Sequence, residues 1–209
     1  MSGCRLALVL GACIAVVVGI GALQLATSGT GGETAGGAIR GFDLAGEVNV
    51  PATFSAALLG LASVLAFALS RVASDPSLRS GVLAAFGALL AFLAVDELIR
   101  VHERLAALSE IEWQLIYLPV GLVGAALFAL LWRGLRRFRP SDLLLLAAAA
   151  AWLVSQAVER TQHTPGGRLT RSWTIVPEEA LEMIGSTLLV LAFFTALQSA
   201  ARRRGHVLS

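Results

Sequence analysis

Charge is scarce in this chain of 209 residues. Asp, Glu, Lys and Arg together supply 14% of it, against about 25% in soluble domains. Hydrophobic residues make up 56%, and the mean hydropathy is +0.77. That balance excludes an ordinary soluble domain and points to a polytopic membrane protein. Cysteine is scarce too. Cys4 and Cys13 both lie in or before the first apolar segment, so no disulfide framework can staple the rest of the chain. There is no Cys-x-x-Cys pair and no serine-nucleophile motif. The glycines after Thr27 lack the Gly-Lys-Ser/Thr ending of a phosphate loop. No nucleic-acid partner is expected.

What the chain has is long apolar runs. We read six spans, at about 6–26, 51–72, 81–103, 113–132, 143–161 and 178–200. About 20 apolar residues suffice to cross roughly 30 Å of hydrocarbon. The first run contains Leu10-Gly11-Ala12-Cys13, which resembles a lipoprotein cleavage box. Beyond it, however, Ile14 to Ala26 stays apolar, and the run exceeds a usual signal core. We read it as a retained helix. Residues 27–50 form a Gly-rich outer loop with Phe42, Asp43 and Glu47 leading to Pro51. Asp75-Pro76 reads as a helix start, so the third helix is expected to run from Pro76 past Glu103 without a break. Ser109 to Glu112 fits a capping box. Trp113, Tyr117 and Trp132 are spaced like interface anchors, Pro119 should kink the fourth span, and Pro177 should open the sixth. The expected fold is all-α: a single membrane domain, residues 1–209, of about six spans.

Six spans put both termini on one side. With the termini cytoplasmic, Arg5, Arg71, Arg79, Arg133, Arg136, Arg137, Arg139, Arg202, Arg203 and Arg204 lie inside, ten of the 16 basic residues. The positive-inside rule favours that orientation. Of 14 acids only Asp75 and Asp142 fall inside, leaving 14 − 2 = 12 outside. The expected location is a bacterial cytoplasmic membrane, with the acids on its outer side and lipid as the first partner. A homo-oligomer or a larger membrane complex is compatible with this reading.

The stretch Ala94 to Ala106, AVDELIRVHERLA, holds Asp96, Glu97, Arg100, His102, Glu103 and Arg104. Ionisable groups at a membrane's edge are costly and are functional candidates. Asp96 lies 15 residues beyond Gly81, Glu159 17 beyond Asp142, and Glu182 20 before Arg202. At about 1.5 Å per residue these are all roughly 22–30 Å above the inner face. On a continuous helix Asp96, Arg100 and Glu103 form one stripe, while His102 lies about 120° away from Asp96. Ser155, Gln156, Glu159 and His163 form a second stripe. Glu178 and Glu182 form a third, with Gly185 beneath them allowing close helix approach.

Carboxylates with imidazole are a ligand set for iron, manganese or zinc. The candidate metal residues are Asp96, His102, Glu103, Glu159, His163, Glu178 and Glu182. The Glu-x-x-His spacing of bundle di-metal sites is missing. A haem held by His102 and His163 is a weaker alternative. The third histidine, His206, falls on the inner side, which excludes a three-His zinc site. A metal site would make the chain a redox or hydrolytic membrane enzyme. The alternatives are a proton- or cation-coupled transporter, and an accessory subunit whose acids only cap helices.

The phrases FDLAGEVNVPATFSA, FLAVDELIRVHERL and PEEALEMIG, within Phe42 to Gly185, resemble a group of uncharacterised bacterial multi-pass membrane proteins. Their shared pattern is Asp-Glu…His-Glu followed by Glu-Glu-x-x-Glu-x-x-Gly. The resemblance implies a six-helix membrane fold and attaches no function. The multiple-His pattern of ceramidase-like membrane hydrolases is missing here.

Overall fold

The computed structural model describes residues 3–28, 50–72, 78–109, 111, 113–162 and 171–207. The side chains of residues 24–28, 103, 106, 107, 113, 162, 171–173 and 204–207 fall outside that description. Among the described residues there are eight helices and no strand: α1 Gly3–Ser28, α2 Val50–Val72, α3 Ser80–Ile99, α4 Val101–Ser109, α5 Trp113–Ile116, α6 Leu118–Leu135, α7 Ser141–Gln162 and α8 Arg171–Val207. Six stretches are long and apolar enough to cross a bilayer: Gly3–Leu23, Val50–Val72, Ser80–Ile99, Leu118–Leu135, Ser141–Thr161 and Thr174–Arg203. Leu8, Leu122 and Leu153 point outward with more than half their surface open. A helix that is apolar all round suits a surrounding of lipid.

The longest helix, α8, is the hub. It packs against α7, α2 and α1, and α2 pairs in turn with α3. Met183, Val190, Phe193 and Ala196 of α8 are fully buried against Ala62, Ala66 and Leu69 of α2, Leu83 of α3 and Leu145 of α7. Phe86 and Phe193 meet at 6.0 Å between ring centroids. Helix α6 leans on α3 and touches α7 only slightly.

Three expected boundaries differ. The third helix begins at Ser80, with Leu78 and Arg79 still outside it, and it stops at Ile99 rather than running past Glu103. Arg100 caps it in the left-handed conformation, φ 51° and ψ 50°, and its N–H donates to the Asp96 carbonyl at 2.6 Å. A left-handed non-glycine residue costs about 1–2 kcal/mol, so the surroundings must hold it there. The fourth span breaks at Tyr117, before Leu118 and Pro119, and α5 is a separate turn of helix. The residue before proline resists helical geometry, and proline itself suits a first helical turn. Pro177 does not open the sixth span. It lies inside α8, whose apolar stretch starts at Thr174. Membrane helices tolerate such prolines where neighbours satisfy the freed carbonyl. The outer-loop residues Phe42, Asp43 and Glu47, the Asp75-Pro76 start, Glu110, Glu112 and His163 lie outside the described residues.

Candidate functional site

The break at Arg100 builds the first polar group. On a continuous helix His102 would face away from Asp96. Because the chain turns at Arg100 and restarts at Val101, His102 comes back over the end of α3. Its backbone N–H donates to Asp96 Oδ1 at 3.2 Å, and its Nδ1 lies 2.6 Å from Asp96 Oδ2. The expectation that these two side chains diverge is therefore corrected: it assumed a helix that the fold interrupts. Tyr117, at the break before α6, donates its hydroxyl to Asp96 Oδ1 at 2.7 Å. Its ring stacks on Phe92 and meets His102 edge-on at 5.7 Å. Asp96, only 6% exposed, thus receives three hydrogen bonds. A buried carboxylate needs that number of donors to offset lost hydration. Burial, then the hydrogen bond to Asp96 and its charge, push the Tyr117 phenol above its ordinary range. Held by Nδ1, the His102 ring turns Nε2 away from Asp96, the arrangement of an oriented acid–base group.

The second group joins α7 to α8. Trp152, Ser155 and Glu159 share one face of α7, and Glu178, Glu182 and Ser186 share one face of α8. The faces meet where Gly185 removes bulk: a Cβ there would collide with Trp152 and lie 3.3 Å from the Ala148 carbonyl. The close approach expected of Gly185 is thus made by Trp152. It lets Ser155 donate to Glu182 Oε1 at 3.0 Å. Charge on Glu179, Glu97 and Glu178 bears on Glu182. Charge on Glu97, Glu178 and Glu159 bears on Glu179, opposed by Arg100. Buried Glu179 Oε2 has no hydrogen-bond partner among the described protein atoms, and neither do Ser186 Oγ, Thr187 Oγ1 and Ser55 Oγ.

The expected site residues therefore divide. Asp96 and His102 form one contact; Glu178, Glu182 and Glu159 belong to the carboxylate layer on α7 and α8. His163 and the Glu103 side chain lie outside the described residues. No group of three or more His, Cys, Asp or Glu among the described residues could hold a metal ion. Sequence reasoning named Glu97 and Ser155 among the polar residues but did not link them to the glutamates of α8 that they act on, and it missed Tyr117 as a partner of Asp96. Tyr117 lies 21 residues from Asp96, and only the folding back of α4 and α5 joins them.

Six lipid-length helices enclosing a buried polar layer define a multi-pass α-helical membrane protein. Within that class, the chain belongs to the family described as a domain of unknown function (DUF8692), whose model matches residues 6–197. No curated protein and no solved structure matches it.

Proposed function

We propose that this membrane protein takes up a cation in the carboxylate layer of α3, α7 and α8, on the outer side of a bacterial cytoplasmic membrane. One observation carries the reading: Glu182 lies inside the sixth span, surrounded by the charges of Glu97, Glu178 and Glu179, with the neutral Ser155 hydroxyl as its hydrogen-bond donor. Carboxylates crowded in so apolar a place need an added positive charge. Without three grouped ligands among the described residues, the proton is the cation best suited to the geometry. Iron, manganese or zinc is the competing occupant. Asp96, His102 and Tyr117 stand beside the layer as an oriented acid–base group through which a proton could pass. Deeper in α8 the polar stripe stops at Ser186 and Thr187, above Leu189, Val190 and Phe193. A stripe that ends inside the bundle favours a binding site over a conducting path. The orientation follows the arginine count, with the arginine-rich end cytoplasmic.

The test is elemental analysis together with infrared spectroscopy of the purified chain and its Glu182→Gln variant. The proposal expects no stoichiometric metal and a protonated-carboxyl band that Glu182→Gln removes. A stoichiometric metal lost in the variant would replace the proton with that metal. If neither signal exists and the variant is as stable as the parent, the acids only decorate helix ends.

A further inference from the structure

The segment joining the third span to the fourth, residues 100–117, lies outside both, yet it carries an apolar surface that the bundle leaves uncovered. Val101, Leu105 and Leu108 of α4 fall on one helix face. Leu105 and Leu108 are exposed, Leu108 by 84%. Ile111 and Leu115 carry exposed apolar surface on into α5, Leu115 by 60%. His102 points about 100° away from Val101 around α4, and it is the side chain that turns inward to Asp96.

Two contacts fix where this segment lies. Tyr117, at its end, stacks on Phe92 with ring centroids 6.1 Å apart, and it donates to Asp96. Phe92 stands 99 − 92 = 7 residues before Ile99, the last residue of α3, which is roughly 10 Å at 1.5 Å per residue. The chain therefore comes down beside α3 rather than passing above the bundle. It comes down on the lipid side: Phe92, Val95 and Ile99 form an exposed apolar stripe on α3. Leu118 and Leu122 of α6, just past the segment, are exposed as well. Exposed apolar side chains thus run from α3 through α4 and α5 into α6. Surfaces that face water rarely expose apolar patches of this extent, and this one continues the lipid-facing sides of two spans.

We propose that α4 and α5 lie in the interface of the bilayer at this end of the bundle, with Leu105, Leu108, Ile111 and Leu115 among the acyl chains of that leaflet. Interfacial helices sink their apolar face by about 5–10 Å, which agrees with the descent to Tyr117. Arg104 is exposed one turn before Leu108, and a side chain of its length can extend to the phosphates while its stem covers apolar surface. Asp96, His102 and Tyr117 then stand at the level of the lipid headgroups. None of this depends on what the carboxylate layer binds.

Spin-label accessibility of the full chain in vesicles of phosphatidylethanolamine and phosphatidylglycerol tests this. Cys4 and Cys13 are exposed and are first replaced by serine. Leu105→Cys, Leu108→Cys, Ile111→Cys and Leu115→Cys then carry a nitroxide one at a time. Leu122→Cys, exposed inside the fourth span, is the lipid reference. Arg137→Cys, exposed beyond the far end of that span, is the water reference. Each of the four labels should collide more often with oxygen, which concentrates in lipid, than with a nickel chelate, which stays in water. That is the sense expected of Leu122→Cys and the reverse of Arg137→Cys. More frequent collision with the chelate at Leu108→Cys and Ile111→Cys overturns the proposal, because the segment would then lie in water. Labels reached by neither probe overturn it too, because another part of the chain or a second copy would then cover the surface. The sites are read separately on variants whose circular dichroism matches the parent, so a variant that misfolds leaves the others to decide.

Discussion

Gly185→Ala perturbs the contact that holds the α7–α8 seam together. The added methyl would collide with Trp152 Cδ1, lie 2.5 Å from Trp152 Nε1 and approach the Ala148 carbonyl to 3.3 Å. Trp152 is partly buried and could swing aside, but the carbonyl is backbone on a packed helix and could not. Overpacking of this kind costs about 1–3 kcal/mol. Alanine recovers up to about 1 kcal/mol through its better helix propensity. The expected net loss is therefore about 1–2 kcal/mol. Gly60, inside α2, has nothing within 4 Å of a built Cβ, so Gly60→Ala should be neutral or stabilising by up to about 1 kcal/mol. The measurement is unfolding in detergent, by heat or by titration with a denaturing detergent. A double-mutant cycle sharpens it: on a Trp152→Ala background, Gly185→Ala should lose the share of its cost that comes from the indole and keep only that of the Ala148 carbonyl. A coupling of about 1–2 kcal/mol is expected for touching residues. If Gly185→Ala alone is as stable as the parent, or if its cost is undiminished by removal of the indole, the approach of Trp152 is not what sets this seam.

Ser155→Ala removes the hydroxyl that donates to Glu182 and should destabilise by about 1–3 kcal/mol. Restoration of stability by Ser155→Thr would show that the hydroxyl matters; equal loss in both would not. Tyr117 is the chain's single tyrosine, so tyrosinate absorbance reads it alone. Because its phenol is raised, the stability it contributes is complete below the unfolded value of about 10. That stability fades as pH rises toward the folded value. Ionisation of the folded chain should therefore begin well above pH ~10 and move down in Asp96→Asn; ordinary titration in both would contradict the Asp96 contact. Asp96→Ala removes the acceptor of His102 and Tyr117 and should loosen residues 100–109, seen as faster amide hydrogen exchange there. Unchanged exchange would mean that Arg100 holds its left-handed turn without Asp96.

The spans were legible from hydrophobic runs alone, because a lipid-facing helix must be apolar along its length whatever it packs against. The layer of acids was legible too, since heights along a helix follow from counting residues. Gly185 was readable as a place of close approach, but nothing in the chain specified that Trp152 would fill it. The pairing of His102 with Asp96 was misread, because helical periodicity assumes a continuous helix and Arg100 breaks it. No glycine or proline marks that break; a left-handed conformation runs against arginine's own preference, and the bonds of His102 to Asp96 close over it. Pro177 misled in the other direction, since a proline suits a first helical turn but is also tolerated inside a membrane helix, where Pro177 stands. Spacing within one segment determined which residues share a height or a face. Tertiary structure decided which faces meet, because Tyr117, Ser155 and Glu97 reach their partners across turns and helix seams that carry no local signal.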